Sequence, residues 1–220
     1  MANAVVESEV YEGQFGPFVI DESDRQEVVL YRAGLAIAAS SFAVAVAYLF
    51  WFADGATNTA PWIVTICYAV MWLALGLSFF KIHIYLRSLH RALQVFWAIG
   101  GLASLAIALY YPQPLALTAY QQPLTILGIG FTFAALTGIF VKEAFCFNRL
   151  ETKFLVLLVP GLLLGHMAGL LSVATERGML GVWAVLFAVF ALRKVMQPIP
   201  PDIGDKSVFE YLEKERQQAA

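Results

Sequence analysis

Charge is what this sequence has least of. Only 14% of its 220 residues are Asp, Glu, Lys or Arg, whereas a soluble domain carries about a quarter. With 60% hydrophobic residues and a mean hydropathy of +0.71, a water-soluble globular domain is excluded and a polytopic membrane protein is indicated. Cysteine is almost missing. Cys67 and Cys146 have no metal-ligand spacing, and the topology derived below sets them near opposite membrane faces. A disulfide needs Cα atoms within ~7 Å, so that bond is excluded as well. The apolar segments hold no Asp or Glu, which ion-coupled carriers use near the midplane. The first twenty residues lack the basic start and apolar run of a cleavable signal. Insertion is therefore expected to be directed by the first membrane helix. Bases are missing there too: residues 1–30 hold seven acids against the single base Arg25, which argues against nucleic acid as a partner.

What remains is six apolar segments and the polar joints between them. A helix needs about 20 apolar residues to cross a hydrocarbon core. The candidates run Ala33–Phe52, Pro61–Phe80, Ala92–Tyr111, Pro123–Val141, Phe154–Val173 and Met179–Leu192, the last extended to Met196 with Arg193 and Lys194 snorkelling. Asp24 with Glu27 reads as a capping box opening the first helix, and Ser207 with Glu210 as another opening a short tail helix at the membrane surface. Val10–Ile20, aromatic and punctuated by Gly and Pro, reads as extended chain or a loose hairpin. Asp54, Gly55 and Asn58 mark a loop, Trp62 and Tyr85 suit interface depths, and Pro112–Gln122 reads as an uncharged loop. Two rows of small residues, Gly130/Ala134/Gly138 and Gly161/Gly165/Gly169, are expected to pack spans four and five together.

An inside N-terminus places thirteen of the fourteen Lys and Arg residues on the cytoplasmic side, leaving Arg177 outside. The expected fold is thus all-α, a six-span transmembrane bundle with both termini cytoplasmic. It divides into an acidic extended arm (1–23), the membrane domain (24–196) and a tail with a short helix (197–220).

The densest polar stretch joins spans four and five, Lys142 to Lys153. The loop residues Lys142, Glu143, Cys146, Phe147 and Arg149 form the candidate functional site. Together with Tyr11–Gly16 (YEGQFG) and Arg25–Ala33 (RQEVVLYRA), the loop's KEAFCF resembles a family of integral membrane proteins found mainly in cyanobacteria and catalogued as a domain of unknown function. The resemblance spans nearly the whole chain. It implies a thylakoid or plasma membrane host and carries over no catalytic or ligand residues.

As an enzyme, the chain would use Cys146 as nucleophile, with Lys142, Arg149 or Lys153 favouring the thiolate and Glu143 or His90 handling protons. As simple structure, Lys142 is an interface anchor and Glu143 pairs with a base on an adjacent loop. His166, placed near the middle of span five between Gly165 and Gly169, is a candidate axial ligand for haem or chlorophyll; a neutral histidine bonded to a hydroxyl would look the same. His83 lies at a different depth. Pro160-Gly161 could break span five, as in carriers, but no matching break stands in the first half. The favoured expectation is a non-enzymatic accessory or assembly protein that contacts membrane lipids and other membrane proteins; a small transporter, or a tetrapyrrole-binding membrane protein using His166, is the alternative. Tyr11, Phe15 and Phe18 on the arm, with the charged tail, are its expected contact surfaces.

Overall fold

A computed structural model of the protein describes residues 9–52, 59–84 and 87–218. Its first helix starts where two aspartates cap each other: the Asp24 N–H donates to the Asp21 carboxylate (2.8 Å) and the Asp21 N–H to the Asp24 carboxylate (3.0 Å). The reciprocal box satisfies two N–H groups that no helical carbonyl can reach. It sits three residues before the Asp24/Glu27 box expected, and Glu27 instead meets Lys81 at 3.0 Å.

The described elements are a hairpin of β1 (Val10–Gly13) and β2 (Gly16–Val19), then α1 (Glu22–Phe52), α2 (Ala60–Lys81), α3 (Arg87–Tyr110), α4 (Leu115–Gln121), a 3-10 turn (Pro123–Thr125), α5 (Ile126–Phe147), α6 (Leu150–Met167), α7 (Val173–Met196), α8 (Pro200–Ile203) and α9 (Lys206–Gln218). Six of these segments are long and apolar enough to cross a membrane, and the protein is an all-α polytopic membrane protein. The even number of crossings brings the hairpin and α9 to one side, the terminal face. The expected loop at Asp54, Gly55 and Asn58, and Tyr85, lie outside the described residues. The expected loop after Pro112 contains α4, which lies on α2 with the Ala116 N–H donating to Thr65 Oγ1 (3.1 Å).

Spans four and five, α5 and α6, pack together as expected, but the small residues that set close approach lie mostly between other helices. A Cβ on Gly34 (α1) would overlap the Ser78 hydroxyl of α2 and lie 2.6 Å from the Ala74 carbonyl. One on Gly100 (α3) would overlap the hydroxyl and backbone nitrogen of Thr132 on α5. Gly76 and Gly101 make room for two indoles that stack at 4.5 Å, Trp72 and Trp97, each donating to the other's carbonyl (3.0 and 2.8 Å). Tyr68, Ser104 and Thr132 join α2, α3 and α5 by hydroxyl hydrogen bonds of 2.7 and 3.0 Å. The two glycine rows do not face each other: Gly138 meets Leu93 of α3, and Gly161 is nearest Met179 of α7.

Gly169 belongs to no packing row, because it ends α6. With φ +65°, it donates to the His166 carbonyl (2.9 Å), while the Leu170 N–H reaches the Gly165 carbonyl (2.9 Å). This is the left-handed glycine stop that leaves the helix's last carbonyls satisfied. Span five therefore closes at Met167, six residues before the expected Val173, and it runs unbroken through Pro160. Ser172 caps the next helix by accepting from the Thr175 N–H (3.2 Å), so Glu176 and Arg177 stand in the first turns of α7 rather than in a loop.

On the terminal face the arm and tail form one unit. The N-cap of α9 is Asp205, not Ser207: its carboxylate accepts from the Ser207 N–H (2.9 Å), the Ser207 hydroxyl (2.6 Å) and the Gln14 N–H across the chain (2.6 Å). Phe15 stacks on Tyr211 (4.0 Å between centroids), and Phe18 stacks on Tyr11 and packs on Ile20, Val28 and Ile203. The arm's aromatics thus stack within the chain, with Phe15 still 48% exposed, and α9 lies on the hairpin. The Ser207 hydroxyl first, then the Gln14 N–H, hold the Asp205 carboxyl below the usual carboxylate range. A depressed carboxylate stabilises docking above its unfolded value of about 3.9 and loses that contribution as pH falls through the lower folded value. Docking is expected to hold at pH 5 and weaken below about 3.9. Amide exchange at Gln14 and Phe15, corrected for intrinsic pH dependence, checks this; protection unchanged down to pH 2 would refute it.

Candidate functional site

The stretch Lys142–Lys153 is not a loop. α5 continues through Phe147, α6 begins at Leu150, and only Asn148, left-handed at φ 50°, and the extended Arg149 join them. The helical register then sorts KEAFCF by face. Phe145 and Cys146 point outward, Phe145 86% exposed, while Glu143 points in and is wholly buried.

Glu143 takes the Lys194 ammonium at 2.7 Å on one oxygen, and Lys142 (3.0 Å) and the Tyr31 hydroxyl (3.2 Å) on the other. Lys194 does not snorkel. Wholly buried, it bridges Glu143 to Asp202, because α8 turns back over the end of α7 and delivers that carboxylate into the bundle. Asp202 also accepts from Arg32 Nε (2.8 Å), whose Nη atoms donate to the carbonyls of Gln197 (2.6 Å) and Pro198 (2.8 Å). Arg149 donates to the Gln197 side chain. Lys194, Arg149 and Lys142 stand 4.2, 5.4 and 5.5 Å from the centroid of the Phe147 ring, within range of its negative face. Four cations thus gather around two carboxylates, and Arg193 pairs with Glu151 (2.8 Å) at the rim. Arg149 Nη1 and Glu151 Oε1 are buried without a partner in the structure.

The two groups expected to handle protons for Cys146 are engaged elsewhere. Glu143 is committed to three donors, and His90 Nε2 lies 2.6 Å from the Phe79 carbonyl; neither is directed at the thiol. Beyond α2, burial holds His83 below the usual imidazole range, with Glu27 (3.5 Å) opposing the shift. Among the described residues, no three His, Cys, Asp or Glu side chains are placed to hold a metal ion.

His166 is not mid-span. It occupies the last turn of α6, at the face opposite the termini, because Gly169 ends the helix there. Nδ1 lies 2.6 Å from Glu176 and Nε2 3.2 Å from the Tyr120 carbonyl, and the ring stacks on Tyr120 at 5.1 Å. Both partners are acceptors. Ligating a haem iron or a chlorophyll magnesium needs a nitrogen lone pair, so one nitrogen would have to be turned away from the acceptor it now faces.

His166 instead stands at the polar end of a cavity of about 650 Å³. Leu49 of α1, Val64 of α2, Ile129 and Phe133 of α5, Leu163 of α6 and Leu180 of α7 supply apolar walls, and His166, Glu176 and Arg177 line it as well. A wholly buried layer of Leu136, Ile139, Phe140, Phe187 and Phe190 contributes the bundle core along α5 and α7. Single residues gave little sign of this chamber: Tyr120 lies in a stretch that reads as loop, and Glu176 in one that reads as a joint.

A family model described as "Uncharacterized integral membrane protein (DUF2301)" matches residues 77–211. That range contains Glu143, Lys194, Asp202 and His166. No curated protein and no solved structure matches the chain.

Proposed function

We propose, from the premise that this chain belongs to the DUF2301 family of integral membrane proteins, that it works by binding rather than by catalysis, holding a largely apolar molecule in the six-helix chamber. One observation carries this. A cavity of about 650 Å³ falls in the range of ligand sites, which are mostly apolar with a few convergent polar groups. At ~30 Å³ per small group it has room for roughly twenty methylene-sized units. The Tyr120–His166–Glu176 cluster supplies hydrogen bonding to one end of such a molecule and fixes its direction.

In this proposal the protein serves other membrane proteins as an accessory or assembly factor, in the cyanobacterial thylakoid or plasma membrane that the sequence resemblance implies. The terminal face is cytoplasmic, supported by the bias of Lys and Arg towards it. A cysteine replacing the exposed Glu210 should therefore be closed to an impermeant maleimide added outside intact cells; labelling from outside would reverse the orientation.

Gly130→Leu tests the chamber. A Cβ at Gly130 meets only Ile126 Cγ2, at an ordinary 3.6 Å, and the residue lines the cavity, so the leucine fills space rather than displacing backbone. Wild-type protein purified gently from its native membrane should release a stoichiometric small molecule on extraction, identified by mass spectrometry. The variant should release at least tenfold less while melting no lower. A wild-type preparation that yields nothing sinks the proposal.

A further inference from the structure

The chamber has a neighbour on the membrane side. A groove of about 530 Å³ runs between α1 and α7, lined by Phe50, Arg177, Gly181, Val182 and Val185 among others. Phe50 and Arg177 line the chamber as well, so the two spaces meet there. Val182 and Val185 are 51% and 63% exposed and lie within the membrane-crossing stretch of α7. The groove therefore opens on hydrocarbon rather than on water. Between groove and chamber stands Phe50, itself half exposed, and a Cβ on Gly181 would lie 3.2 Å from its ring. The glycine leaves the ring a space that any other residue would narrow.

We propose that the occupant of the chamber is a hydrocarbon chain of a bilayer lipid, entering sideways between α1 and α7 past Phe50, with an anionic headgroup left at the rim beside Arg177. This rests on the chamber being a binding site and names the class of molecule that fills it. Three observations favour a lipid chain over a water-borne solute. The walls are apolar, the shared boundary lies within the membrane-crossing helices, and a guanidinium stands where groove and chamber join. A chain in the chamber is removed from the bilayer without entering water, so its transfer is close to neutral; the gain must come from packing and from the headgroup at Arg177. Arginine suits that headgroup because its fork matches a phosphate or carboxylate.

The purified full-length protein in phosphatidylglycerol–phosphatidylcholine vesicles, doped with a phosphatidylglycerol carrying a diazirine at the end of one acyl chain, tests this directly. Brief irradiation followed by peptide mapping should label the chamber residues Ile129 and Phe133 as well as the lipid-facing Leu157. Gly181→Trp, which fills the groove, should lower chamber labelling at least tenfold relative to Leu157, and Phe50→Ala, which removes the ring without adding bulk, should raise it. Labelling at Leu157 with none at Ile129 or Phe133 in the wild type overturns lipid entry. If a small molecule is still recovered from native membranes and lost in Gly130→Leu, the chamber remains a binding site and only its lipid occupant falls. Chamber labelling unchanged in a folded Gly181→Trp protein, and unmoved by Phe50→Ala, overturns the route between α1 and α7.

Discussion

Lys194→Met should lower the unfolding free energy in detergent by about 3–5 kcal/mol, the range for removing one partner of a buried ion pair. Methionine nearly keeps the volume and removes the charge together with its N–H donors. Glu143 and Asp202, both almost wholly buried, then share no ammonium. Each keeps a cation, Lys142 on Glu143 and Arg32 on Asp202, which places the effect at the lower end of the range. Arg87→Met is the control. Its pair with Glu213 leaves both side chains more than half exposed, and such pairs are worth about 0–1 kcal/mol. Adding Glu143→Gln to Lys194→Met should recover part of the loss, since one of the two buried carboxylates that lost the shared ammonium is neutralised. If Lys194→Met costs no more than Arg87→Met, the cluster does not hold the terminal face together.

Gly100→Leu should be the most damaging of the glycine replacements between α3 and α5. The new Cβ would overlap the Thr132 hydroxyl and its backbone nitrogen, and backbone cannot swing aside as a side chain can. The helices must separate, and Ser104, one turn further along α3, then loses its place beside Tyr68 and Thr132. Overpacking of this kind costs about 1–3 kcal/mol or more. Gly178→Leu, whose Cβ meets nothing within 4 Å, should melt within a degree or two of the wild type. Equal melting temperatures for the two variants would show that α3 and α5 are not closely apposed at Gly100.

The spans were legible because crossing hydrocarbon demands a long apolar run, and such a run is written in consecutive residues. Their ends were less so, because they depend on single backbone conformations. Gly169 reads as one more small residue in a row until its φ of +65° shows it to be the stop of α6, and that one position moves His166 from mid-membrane to the chamber's polar end. The glycine rows show that neighbours approach closely, not which neighbours: Gly138 meets α3 and Gly161 lies towards α7. The charged residues near Lys142 were visible as a group, but their partners come from distant sequence. Whether a lysine near a helix end rises to water or turns inward depends on a carboxylate being there. For Lys194 that carboxylate is Asp202, in a segment whose Pro200 and Pro201 read only as a helix stop.

The distance in sequence between the members of this cluster also fixes when it can exist. Arg32 and Asp202 are separated by 170 positions, which a ribosome covers in roughly ten to thirty seconds at ~5–20 residues per second. During that interval Arg32 has entered the first helix without its carboxylate, and Lys194, once made, has only Glu143. The hairpin is equally early and waits for Asp205 and Tyr211. Synthesis of residues 202–211 is thus what completes these contacts of the terminal face. A ribosome that stalls just after Met196 would leave these six spans in place and the Arg32 guanidinium without its carboxylate, a chemical mark by which such a molecule differs from one extended past Asp202.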